Sequence, residues 1–179
     1  MTYTLPFRQG DRVLEVGGGE RPFFHPNLDI RAIPTVDIVA DISQGLPLED
    51  SSFDGLFAQY FLEHVSWRKM RDVVSEIHRI LKPNGIAVLV TANLEEQCKL
   101  ALDWFKDGKG EKVSEMIFGS QEFDNWDAGA HHCGFSPESA TKLFKEAGFN
   151  RVQIVPHPVS KSDLIIEATK SGVVITRQL

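Results

Sequence analysis

Apolar and polar positions alternate along this chain in short blocks, and each block predicts an element. Val13-Leu14-Glu15-Val16 is an apolar run carrying one acid, read as a first strand that breaks into Gly17-Gly18-Gly19. Asn27-Leu28-Asp29-Ile30 predicts a short second strand, and Val36 to Asp41 a third. Phe53 to Gln59 predicts a fourth, entered from the polar turn Glu49-Asp50-Ser51-Ser52. Met70, Val73, Val74, Ile77, Ile80 and Leu81 recur at helical spacing, so a helix with one apolar face is expected from Trp67 to Leu81. Pro83-Asn84-Gly85 ends it. Ile86 to Val90 is apolar throughout, as a strand buried on both faces is.

The rhythm breaks over residues 93–133. Leu94 to Phe105 and Glu111 to Ile117 carry helical patterns, and Gly119 to Asp127 reads as a loop rich in aromatic and polar groups. Ser136 and Pro137 then suit the N-cap and first position of a helix running through Leu143 and Phe144 to a stop at Gly148. Arg151 to Val155 and Leu164 to Ala168 are late strands. The turn between them is too short for a helix, so they should be antiparallel neighbours.

Composition narrows the class. The 179 residues suit one domain with a full core, and 42% hydrophobic with 25% charged residues is ordinary for a globular chain. A net charge of −6 speaks against a nucleic-acid surface, and the densest basic stretch, Trp67-Arg68-Lys69-Met70-Arg71, reads as a solvated helix face. Cys98 and Cys133 stand far apart, which fits reduced thiols in a cytoplasmic protein. No signal-peptide pattern and no apolar run of ~20 residues is seen, so no membrane partner is expected.

The glycine break after the first strand is the arrangement that receives a nucleotide-type cofactor, because backbone without Cβ can turn sharply against a ligand. Several further segments carry a resemblance in the same order: Leu46-Pro47-Leu48-Glu49-Asp50-Ser51-Ser52-Phe53-Asp54, Phe61-Leu62-Glu63-His64-Val65, and Glu76 to Gly85. His131-His132-Cys133-Gly134-Phe135-Ser136-Pro137-Glu138 and Glu146 to Phe149 complete the series. With the glycine loop, these resemble the class I S-adenosylmethionine-dependent methyltransferases, in particular the small-molecule subgroup with a Leu-Glu-His signature. The resemblance implies an α/β fold: a three-layer, Rossmann-like sandwich whose seven-stranded sheet is mostly parallel with an antiparallel last strand. It treats residues 1–179 as a single domain with 93–133 as an acceptor-side lid. One departure stands out. Arg21-Pro22 occupies the place of the family's next glycine, and the ribose-binding acid comes early, at Asp29. The first helix should therefore be short or absent and the pocket more open.

The resemblance also distributes roles. Glu15, Gly17, Gly18 and Gly19 would meet the amino-acid end of S-adenosylmethionine, and the product would be S-adenosylhomocysteine. Asp29 would accept the ribose hydroxyls, with Ile30 against the adenine. Asp41 and the Ile42 N–H would bond the adenine edge, Asp37 being the weaker alternative inside strand three. The Gln59 backbone would touch the methionine amine. Tyr60 would line the transfer site, His64 would take a proton, and His131 would serve a substrate loop walled by Phe123 and Trp126. Ala58-Gln59-Tyr60-Phe61 is not the Asn/Asp-Pro-Pro-Tyr/Phe motif of nucleic-acid amino methyltransferases. His131, His132 and Cys133 have no second Cys/His pair nearby in sequence, so no metal is assigned. The expected activity is methyl transfer to oxygen or nitrogen of a small-molecule or glycan-like acceptor. A non-catalytic binding protein on the same fold stays open. A nicotinamide dehydrogenase is disfavoured because the last glycine of G-x-G-x-x-G is missing.

Overall fold

The computed structural model describes residues 2–121 and 129–172. Seven strands form one sheet: β1 (Val13–Val16), β2 (Asn27–Asp29), β3 (Ile38–Val39), β4 (Phe53–Gln59), β5 (Leu81–Ala92), β6 (Arg151–Pro156) and β7 (Asp163–Thr169). Their spatial order is β3-β2-β1-β4-β5-β7-β6, with β7 antiparallel to both neighbours and the pairs from β3 to β5 parallel. The expected hairpin at the end of the chain is therefore present, its final strand inserted beside β5.

Period-two alternation sorts the strands onto two faces. Leu14, Val16, Leu56, Ala58, Ala87 and Leu89 point to one side and form the larger core. Against it lie α1 (Met70–Ile80) and α4 (Pro137–Glu146), through Val73, Val74, Ile77, Ala140 and Phe144. Val13, Phe57, Val88, Val90 and Ile165 point to the other side. No helix covers that face among the described residues. Tyr3, Leu5, Phe7 and Phe24 pack on it instead, and the Phe7, Phe23, Phe24 and Phe57 rings meet edge to face. The third layer is thus a strap of extended chain.

The helix ends follow their sequence signals. Ser136 accepts from the Ser139 N–H, Ser139 returns a bond to the Ser136 N–H, and Pro137 fills the first turn. Gly148 follows at φ +103°. The C-terminal carbonyls of α1 are met by Lys170, whose Nζ donates to His78 and Leu81 oxygens at 2.8 and 2.7 Å. Two predicted boundaries move. Strand three shrinks to Ile38–Val39 because Asp37 turns its carboxylate to the Asn27 N–H (2.7 Å) and His25 Nδ1 (2.6 Å). Pro83-Asn84-Gly85 does not close α1, which stops at Ile80, but interrupts the start of β5. Register against β4 shifts there, since proline has no ladder donor and Asn84 takes φ +67°.

The 46–50 loop is tied down by one side chain. Arg79 donates to the Leu46 and Leu48 carbonyls, to Asp50, and to Glu76, which itself accepts the Leu46 N–H at 2.6 Å. Those bonds hold the Glu76 carboxyl below its ordinary value of 4.5, Arg79 contributing most. A lowered folded pKa stabilises above the unfolded value and is lost as pH falls through the folded one. Glu76→Ala should therefore cost about 1.5–3 kcal/mol at pH 7, as expected for bonds to a charged group. The difference from the parent should narrow below pH 4, measured by urea unfolding at each pH.

Candidate active site

The register places Val16 beside Leu28 on one side and Ala58 on the other. Gly17 to Gly19, Asp29 and Gln59 consequently lie side by side at the carboxyl edge of three parallel strands, where open α/β sheets bind ligands. Gly17 and Gly19 take φ +74° and +56°. A Cβ on Gly18 would stand 2.7 Å from Asn27 Oδ1, which accepts the Gly18 N–H at 3.1 Å. The loop is therefore closed tightly on β2, and only glycine fits.

Glu15 also holds the loop that follows the glycines. It is 2% exposed, and its Oε2 accepts the Phe23 and Phe24 N–H groups at 2.6 and 2.7 Å. Its side chain shares the Phe57 face of the sheet; Oε2 braces the 20s loop, and Oε1 lies beside the glycine loop, 2.9 Å from where a Cβ on Gly18 would stand. Burial raises its carboxyl above the ordinary range despite those two donors. With no helix between β1 and β2, this carboxylate takes over the task of satisfying loop amides.

Asp29 ends β2 and is 6% exposed. Its Oδ1 accepts the Arg31 N–H (2.9 Å) and Nε (3.1 Å), and its Oδ2 accepts Arg31 Nη2 (3.1 Å). Burial alone would raise this carboxyl, yet Arg31 and the backbone donors outweigh it and hold it below the ordinary value. A carboxylate has about four lone-pair sites, and Arg31 occupies three of them here. The Arg31 guanidinium also fills the space above Gly19, 2.7 Å from where a Cβ would stand. Ile30 beside it is exposed despite being apolar. Asp41 caps a short 3-10 turn, Ile42–Gln44, accepting the Ser43 N–H at 2.9 Å, and the Ile42 side chain is buried in the core.

Past β4 the chain turns sharply at Tyr60, which takes φ +50°, a strained value for a residue with a side chain. Its hydroxyl donates to Asp163 Oδ2 at 2.9 Å, and burial together with that carboxylate pushes the phenol up to about 12. Tyr60 therefore stays protonated at neutral pH and cannot act as a base. Beside it opens a cleft of about 590 Å³. Ala92, Trp104 and Met116 supply apolar walls, and Gln97, Lys112 and Glu115 polar ones. Trp104 lies on α2 (Leu94–Lys106), and Lys112, Glu115 and Met116 on α3 (Gly110–Phe118).

Glu63, His64 and His131 meet in the same cleft. Leu62–His64 forms a 3-10 turn, and residues 130–133 dock against it. The His132 N–H donates to the Glu63 carbonyl at 2.7 Å, and His64 Nδ1 donates to the Ala130 carbonyl at 2.9 Å. The His64 and His131 rings stand 5.1 Å apart, edge to face. Burial and then His64 lower the His131 pKa, so that ring is neutral at pH 7. Glu63 is 2% exposed, accepts from Thr91 Oγ1 at 2.8 Å, and is raised by burial.

The structure thus gathers the predicted residues into two adjoining groups: Gly17–Gly19, Asp29, Ile30, Asp41 and Gln59 along the sheet edge, and Tyr60, His64 and His131 in the cleft. Sequence reading missed Arg31, Asp163 and the lining residues of α2 and α3. A cation two positions from the expected ribose acid was the available signal for Arg31. Phe123 and Trp126 lie outside the described residues.

Comparison with known proteins agrees with this layout. Residues 26–89 match the methyltransferase-domain family. A demethylmenaquinone methyltransferase of Symbiobacterium thermophilum is 28% identical over 119 residues, 58% of this chain and 43% of that protein. Its counterpart in Chlorobaculum tepidum is 24% identical over 136 residues, 74% and 55% of the two chains. The chain spans about half the length of these curated relatives. Among solved structures, an S-adenosylmethionine-dependent methyltransferase of Methanosarcina mazei superposes with a TM-score of 0.62 at 19% identity, covering 93% of this chain and 95% of that one. One from Archaeoglobus fulgidus gives 0.62 at 17% identity, with 90% and 87% covered. At these identities the structures establish the fold. Within that fold, which the chain shares with S-adenosylmethionine-dependent methyltransferases, residues 26–89 carry the match to the methyltransferase-domain family.

Proposed function

We propose that this chain binds S-adenosylmethionine along the edge formed by Gly17–Gly19, Asp29, Ile30, Asp41, Ile42 and Gln59. It transfers the methyl group to oxygen or nitrogen of a small molecule seated in the adjoining cleft. The observation that carries this reading is the junction at Gln59-Tyr60. There the strand that borders the glycine loop passes directly into the cleft wall. Among the described residues, 93–121 and 129–133 supply the acceptor side of the cleft. The curated relatives are named for a small-molecule acceptor, and the mixed walls around Trp104 and Lys112 suit a molecule with an apolar ring and polar groups.

The residues present fit the cofactor with one rearrangement. Glycine backbone lies open to close approach, and Ile30 offers an exposed apolar surface for a base. Asp29 receives a ribose diol once the Arg31 guanidinium, which bonds both of its oxygens, swings away. When bound, S-adenosylmethionine supplies an electrophilic methyl group on a sulfonium. The protein's own part is alignment and removal of one proton. His64 is suited to that: with Nδ1–H given to the Ala130 carbonyl, the neutral ring keeps Nε2 as a proton acceptor. Tyr60 positions, because its phenol is held protonated by Asp163.

Calorimetric titration with S-adenosylhomocysteine tests the pocket. Micromolar binding by the parent protein, weakened at least tenfold in Asp29→Ala and Asp41→Ala, is the expected result. No binding by the parent at millimolar ligand overturns the proposal and favours a non-catalytic protein on this fold. Arg31→Ala should bind severalfold more tightly than the parent, because the ligand no longer has to displace a bidentate guanidinium. Weaker binding in that variant would mean that Arg31 holds the ligand itself.

A further inference from the structure

We propose that Glu63, His64 and His131 hold one divalent first-row transition-metal ion, Zn²⁺ foremost, in the wall of the acceptor cleft, with coordination positions left open toward the acceptor. Each residue offers one ligand atom, and these atoms all lie within 4.8 Å of one another. A tetrahedral ion with bonds of about 2.0–2.1 Å wants its ligands roughly 3.3 Å apart. The three side chains need to close by up to about 1.5 Å, within the reach of χ rotation. Two imidazoles and one carboxylate on an accessible cleft are the donor set of an open, reactive site; a closed structural site would use four protein ligands.

Two features of the surroundings support an ion here. The first is orientation from behind. Thr91 Oγ1 donates to Glu63 Oε2, and His64 Nδ1 donates to the Ala130 carbonyl, which fixes the tautomer with Nε2 as the ligand atom. Ligating carboxylates and imidazoles are usually held in this way. The second is charge. Glu63 is 2% exposed, yet no Lys or Arg pairs with it among the described residues. A buried carboxylate without a cation is costly, and a divalent ion would supply one. The docking of residues 130–133 on the 62–64 turn, through the His132 N–H and the Cys133 N–H on the Glu63 carbonyl, sets the ligands at this separation from two distant parts of the chain. Cys133 takes no part, because its thiol donates to the Leu62 carbonyl at 3.2 Å.

An ion at this point would bind an acceptor through oxygen and make its hydroxyl a stronger acid that loses its proton to solvent, taking the place of His64 Nε2 as proton acceptor in the loaded protein, which selects hydroxyl- or enol-bearing small molecules. That selection rests on the proposed methyl transfer; metal binding itself does not. The test is titration of the chelator-treated full chain with Co²⁺ alone, read by visible absorption, followed by Zn²⁺ competition. One saturable equivalent of Co²⁺, displaced by one equivalent of Zn²⁺, is expected. Apparent affinity should fall at least a hundredfold in His131→Ala and in His131→Asn, with circular dichroism showing both still folded. A His25→Ala/Cys98→Ala control should bind like the parent. No spectral change up to millimolar Co²⁺, or a band retained in both His131 variants, overturns the proposal. The titration contains no S-adenosylhomocysteine, so its failure leaves the cofactor reading to its own experiment.

Discussion

Only residues 17–26 join β1 to its parallel neighbour β2, and much of the molecule follows from that short connection. A parallel crossover usually takes a dozen or more residues and is usually helical. Here the chain must return along the sheet without a helix, so the amides of the return path need partners from elsewhere. Glu15 supplies them from the strand beneath, and Asn27 binds the glycine loop from the other end. The apolar face that a helix would cover falls to Phe23, Phe24 and the segment from Tyr3 to Phe7.

The same shortening alters the electrostatics of the sheet edge. Asp29 arrives close to the glycine loop, where the Arg31 guanidinium bonds both of its oxygens. The result is a self-contained ion pair at the place a ligand would occupy. Binding at this edge is then an exchange of partners around one carboxylate, and its strength depends on how firmly Arg31 holds. The cleft beyond Tyr60 is built by different means. Its floor is the strained end of β4, and its roof is the helix pair α2 and α3. Its wall is made where the His132 and Cys133 N–H groups donate to the Glu63 carbonyl and His64 Nδ1 donates to the Ala130 carbonyl.

Elements with a local cause were legible in the sequence. The apolar spacing of α1, the Ser136-Pro137 start of α4 and the closing hairpin all follow from residues close together in the chain. The order of the sheet edge was legible as well, because a glycine break and acids at strand ends are local signals. Features set by distant partners were not. Asp37 reads as part of a strand until its carboxylate is seen bonding Asn27 and His25. Glu15 sits in a ligand-facing motif, yet alternation turns it toward the return loop. Glu63 and His131 are separated by most of α1, β5, α2 and α3, and no spacing rule brings them together.

The Tyr3 hydroxyl donates to Glu167 at 2.7 Å, across 164 residues. The strap over the second face is therefore anchored on β7, the strand that is both inserted beside β5 and laid down after every other. Residues 3–7 precede all seven strands in the chain, and the Glu167 anchor of Tyr3 lies on the last of them. Contacts of such long sequence separation slow folding, since the chain loses the entropy of the whole loop before the contact forms. Until then the second face of the sheet, with Val88, Val90 and Phe57, stands open to other chains.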